Sequence, residues 1–184
     1  MNRTRIMKAL YASLIGIVLV LMEVPLAAAG DRAFPSWDKQ INKPGRFKVL
    51  GDFAGAAVLD RETGLVWEQS PGTAPNPTTT QTWLQPQASC NTRTVGGRKG
   101  WRLPTIQELA SLVDPNNPGG NPDLPPGHPF SNVQSSVYWS ATTGASNSSF
   151  AWVVLLGDGD VGPDDKTSAF HVWCVRGGQG VDPQ

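Results

Sequence analysis

Two cysteines and two histidines are all that the sequence offers for thiol or imidazole chemistry. A serine hydrolase needs a histidine beside an activated serine held on a strained turn. His128 stands in a proline-rich stretch, His171 lies in the last apolar segment, and no Gly-x-Ser-x-Gly motif is present. A zinc site needs three or four His, Cys or carboxylate ligands at workable spacing, which two scattered histidines do not supply. The run Asp158, Asp160, Asp164 and Asp165 has oxygens suited to a hard cation, and its other reading is a solvated hairpin tip. We adopt the second, and expect no catalytic residues, no metal and no cofactor. Asp60 and Glu108 resemble a catalytic carboxylate pair, but turn and capping roles account for both.

Recognition is the chemistry that remains. Aromatic faces stack on sugars and anchor protein interfaces, and the chain has seven tryptophans. Trp67, Trp83, Trp101, Trp139, Trp152 and Trp173 fall inside apolar segments and are expected in the core, which leaves Trp37 as the candidate for an exposed contact. His128 and Phe130 are the only aromatic side chains in the long stretch 114–136. With Asn132 they are the candidate ligand contacts, the alternative for Phe130 being that it turns inward and pins the loop. Arg98 and Lys99, in the basic stretch Arg93–Arg102, are the candidates for holding a polyanion. Lys plus Arg equals Asp plus Glu at 15 each, a balance that argues against nucleic acid or an anionic membrane surface as partner.

Local signals give the elements that must position these groups. Residues 57–59 and 65–67, joined by Asp60–Gly64, read as a hairpin. A proline-rich loop follows over 70–80. A first helix is expected near Thr82–Asn91, with Thr82 and Gln85 as a capping box; Pro86 lacks a helix-interior N–H, so the helix is expected to start there and be short. A second is capped by Thr105 with Glu108 completing the box. It buries Ile106, Leu109, Ala110 and Val113 at helical spacing and stops at Asp114–Pro115. The stretch 114–136, dense in proline, glycine and asparagine, reads as a long functional loop. Val137–Ala141, Ala151–Leu156 and Phe170–Arg176 read as strands, the last placing Phe170, Val172 and Cys174 on one face and His171, Trp173 and Val175 on the other.

Ahead of this domain, Arg3, Arg5 and Lys8 precede the apolar run Ala9–Met22 and the small residues Ala27–Gly30, the three parts of a secretory signal. The run is shorter than the roughly 20 residues that a membrane-spanning helix needs. Residues 1–29 are therefore read as a cleaved leader, with no membrane span afterwards; a retained anchor is the alternative. Cleavage removes three basic residues and one acidic residue, which takes the formal charge from 0 to −2. Residues 30–55 are read as an arm, 56–179 as the domain and 180–184 as a tail. The expected location is periplasmic, outer-surface or secreted. There oxidation is favoured, and Cys90 and Cys174 have only each other as intramolecular partners; two separate thiols are the alternative.

Five segments occur in order: Asp60–Trp67, Trp83 with Cys90, Gly100–Leu109 (Gly-Trp-Arg-Leu-Pro-Thr-Ile-Gln-Glu-Leu), Tyr138–Ser140, and Cys174–Gly178. Together they resemble the Lcl C-terminal domain family, named for a collagen-like bacterial adhesin. The resemblance implies an α+β, C-type-lectin-like fold, with two short helices packed on a small, twisted, mainly antiparallel sheet. It also implies one disulfide between the first helix and the final strand, where Cys90 and Cys174 stand. The Glu-Pro-Asn or Gln-Pro-Asp triplet of calcium-dependent lectins is absent, so no sugar-ligating calcium is carried over. The fold also resembles that of formylglycine-generating enzymes, whose free active-site thiols have no counterpart if the two cysteines are bonded. The expectation is an exported, non-enzymatic module that binds a glycan or a protein through its long loops. The alternative is a structural component of a secreted or envelope complex.

Overall fold

The structure is a computed structural model that describes residues 45–71, 80–114, 116–117 and 121–178. The leader, Trp37, most of the arm and the tail lie outside the described residues. The alternating Phe-Lys-Val forms β1 (Phe47–Val49), and the short apolar runs on either side of the Asp60–Gly64 turn form β2 (Ala57–Asp60) and β3 (Val66–Glu68). The β2–β3 turn closes through Gly64 N–H to Asp60 O at 2.7 Å, with Gly64 at φ 74°, a backbone state that glycine adopts without Cβ strain. Arg46 anchors the start of this unit by donating to both carboxylate oxygens of buried Asp60, at 3.0 and 2.8 Å. The first sheet thus begins upstream of residue 56.

β4 (Trp101–Arg102) and β8 (Val175–Arg176) complete a five-stranded sheet in the order β1-β2-β3-β8-β4. A second sheet holds β5 (Val137–Thr143), β6 (Phe150–Leu155) and β7 (Val161–Asp165). Every strand pair is antiparallel, so the architecture is α+β with two sheets where one was expected. The segment 170–176 explains the division. Phe170 bridges Gln81 and His171 bridges Tyr138, whereas Val175 and Arg176 pair with β3 and β4. The segment crosses from one sheet to the other, so only its last two residues form a strand. Its alternation survives: Val172 and Cys174 enter one apolar cluster, Trp173 and Val175 the other. β7 was not anticipated because Gly162 and Pro163 interrupt its pattern. It lies at a sheet edge, where proline costs no ladder bond.

Helix α1 (Leu84–Thr92) starts two residues before Pro86. That places Pro86 in the first turn, where its missing N–H has no intrahelical partner to lose. Of the expected box only Thr82 N–H to Gln85 Oε1 forms, at 3.2 Å. In α2 (Ile106–Ala110) both halves form: Glu108 N–H donates to Thr105 Oγ1 at 3.3 Å and Thr105 N–H to Glu108 Oε2 at 2.9 Å. The helix is shorter than expected because Leu112 and Val113 bond carbonyls three residues back, at 3.2 and 3.1 Å, which tightens the last turn. Thr105→Ala is expected to cost about 1 kcal/mol through loss of the cap. An unchanged urea midpoint would contradict that role.

Two apolar clusters fill the interior, one around Trp67, Leu109, Leu112, Leu156 and Trp173, the other around Trp83, Trp101, Leu103, Trp139 and Val153. Trp152 is only partly buried against the first. The Cys90–Cys174 disulfide, with Cα atoms 5.6 Å apart, lies in the second cluster and ties α1 to the residue before β8. Among the described residues no helix is long and apolar enough to cross a membrane.

Candidate ligand-binding cleft

β3 lies between the two clusters, so both of its faces are covered. Trp67 enters one cluster, Val66 packs against the other, and Glu68 follows on Val66's side, with no exposure at all. Its carboxylate meets Arg93 Nη1 at 2.5 Å through Oε1 and accepts Cys174 N–H at 3.1 Å through Oε2. Arg93 stands one helical turn beyond Cys90, whose carbonyl accepts its N–H at 3.0 Å. The ion pair and the disulfide therefore form one clamp between the end of α1 and the central strands. Burial pushes the Glu68 carboxyl above its usual range, and the attraction of Arg93 opposes this only in part.

Beside the clamp opens a cleft of about 740 Å³ lined by Ala56, Gln69, Ser70, Gln81, Ser89 and the segment Thr92–Gly96. Several lining groups are already engaged. Gln69 Nε2 donates to Pro129 O at 2.7 Å, Ser70 Oγ accepts from Asn132 Nδ2 at 2.8 Å, and Ser89 Oγ donates to Gln81 Oε1 at 3.2 Å. These bonds fix the walls. Arg93 is 8% exposed, yet among the described residues only Nη1 of its guanidinium donates. A planar guanidinium has five N–H donors, so Nε and Nη2 are left without a partner among the described residues. Gly96 holds the rim against Phe53: a Cβ there would stand 2.3 Å from Phe53 O.

The residues singled out from sequence are distributed unevenly about this cleft. Asn132 reaches its rim through Ser70 and stays exposed, with φ 56°. Phe130 is no stacking platform. It is 7% exposed and meets Phe47 and Trp173 edge-on, with centroids at 5.0 and 4.9 Å, so it pins the loop, the alternative stated for it. His128 is half-buried beside it, with centroids 5.8 Å apart. Arg98 and Lys99 are exposed just beyond the Val95–Arg98 turn. The Arg98 and Arg176 guanidinium carbons each stand 5.7 Å from the Phe53 ring centroid. In the acidic run, Asp158 oxygen accepts Asp160 N–H at 3.1 Å and Asp165 oxygen accepts Thr167 N–H at 2.8 Å. Among the described residues no three His, Cys, Asp or Glu side chains converge as a metal site would require.

Burial lowers the pKa of both His128 and His171 from the ordinary 6.5. The unfolded chain then binds protons more readily than the folded one. Each histidine contributes stability that is complete above 6.5 and lost as pH falls through its folded pKa. NMR titration of the imidazole C–H signals should give two midpoints below 6.5; a midpoint at or above that value would contradict the packing of that ring.

Sequence reasoning missed Glu68 and Arg93. The available signal was the spacing of Arg93 three residues after Cys90, which places it at the C-terminal cap of α1, one turn beyond the cysteine. The family model described as the Lcl C-terminal domain matches residues 56–176. No curated protein matches the chain.

Proposed function

The chain belongs to the Lcl C-terminal domain family, and on that premise we propose that it is an exported, non-enzymatic, adhesin-like binding module that recognises a glycan. The disulfide from helix to final strand, and the pairing of β3 with β8, support reading its architecture as C-type-lectin-like. The observation that carries the function is the cleft beside Arg93, where a buried cation with unspent donors stands among fixed amide and hydroxyl groups. Such groups match the paired donors and acceptors of sugar hydroxyls, and few convergent polar groups in a concave site are how ligands are oriented. The long loop takes part by supplying Asn132 to the rim.

Binding of the purified protein to a glycan array tests this. Saturable binding is expected, and Gln81→Ala with Thr94→Ala should weaken it about tenfold through two lost hydrogen bonds. Thermal stability should fall by no more than about 1 kcal/mol, the worth of the Ser89–Gln81 hydrogen bond. No binding to any glycan, together with co-purification of a fixed protein partner, would contradict it in favour of an assembly component.

A further inference from the structure

We propose that the anchoring group of the ligand is a carboxylate, carried by a uronic acid residue of the glycan and taken bidentate by Arg93; this rests on the cleft being the glycan site. Among the described residues Arg93 is the only charged residue lining the cleft. Glu68 engages it at Nη1 alone, turning its second oxygen to Cys174 N–H, so the rest of the guanidinium edge remains for a ligand. Among the described residues no other hydrogen bond uses Nε or Nη2. A planar fork of parallel N–H groups matches the two oxygens of a carboxylate, and such charge-assisted bonds are roughly twice as strong as neutral ones. Arg93 is also unable to turn away. Its backbone N–H bonds Cys90 O, Cys90 is bonded to Cys174, and Glu68 holds Nη1. A pre-set fork loses little freedom on binding. A polyanion would need many cations, and the cleft has one. The fit is to a single carboxylate among neutral hydroxyls, with Gln81 Nε2, which makes no bond among the described residues, as a neighbouring donor.

Matched uronides and hexosides, glucuronides beside glucosides and galacturonides beside galactosides, are the probes. In at least one pair the uronide should bind about tenfold or more tightly, the effect of hydrogen bonds to charged groups. Arg93→Lys keeps a cation beside Glu68 but loses the fork, and it should abolish the preference of the uronide over its matched hexoside. In the unaltered protein the Arg93 Nε–H resonance should shift on adding the preferred uronide, a readout that stands if the variant fails to fold. Equal binding of uronide and hexoside would overturn the carboxylate anchor and leave the glycan reading intact; failure of every probe to bind would overturn both. A preference that Arg93→Lys retains, and that Arg98→Gln with Lys99→Gln or raised salt removes, would move recognition to the outer surface and overturn the anchor.

Discussion

Glu68→Ala is expected to destabilise the domain by about 3–5 kcal/mol, because it leaves the Arg93 guanidinium buried without its counter-charge. Glu68 is fully enclosed and Arg93 nearly so. The substitution also frees Cys174 N–H from its acceptor. Lost volume alone does not distinguish this effect from an ordinary cavity, so the double change matters. Glu68→Gln with Arg93→Met removes both charges and should recover much of the loss, since a buried pair replaced by neutral groups is often close to neutral in stability. Urea unfolding of Glu68→Gln, of Arg93→Met and of the double variant gives the coupling directly. Additive losses would show that the two side chains do not act as a pair.

Cys174→Ala, made together with Cys90→Ala to leave no lone thiol, should lower stability by about 2–5 kcal/mol. The bond closes a loop of sequence separation 84, for which the loop-entropy account gives about 4–5 kcal/mol. Removal has a local consequence as well. The Cys90 carbonyl and the Cys174 amide hold the two halves of the Arg93–Glu68 pair, so the cleft should loosen with the bond. Binding measured in the reduced and alkylated protein should weaken even at temperatures where it stays folded. Stability unaltered by the double replacement would contradict the structural weight given to the disulfide.

The parts legible in the sequence are those whose cause is local. The Thr105–Glu108 box and the Asp60–Gly64 turn are each fixed by residues a few positions apart, and both form as read. The paired faces of residues 170–176 were legible too, because alternation belongs to the backbone and survives the loss of a ladder. What periodicity hides is partnership. Nothing in that segment says that His171 bridges one sheet while Val175 pairs in another. Pro163 reads as a loop residue unless the strand is known to lie at an edge. In the candidate site, Asn132 was found as an exposed polar loop residue, whereas Phe130 looked the same in sequence as an exposed aromatic would. Only the meeting of Phe47, Phe130 and Trp173 shows that it faces inward. Glu68 escaped notice because a carboxylate in a short strand suggests solvent, and its partner Arg93 lies 25 residues away.

The most direct test of the cleft as the binding site is amide shift mapping by NMR during titration with the tightest glycan found on the array. The account predicts that the largest changes fall on Gln81, Ser89, Thr92, Arg93 and Thr94, with smaller ones at Ser70 and Asn132. Changes confined to the loop Thr143–Ser149 and the acidic tip Asp158–Asp160, with the cleft residues unmoved, would contradict it.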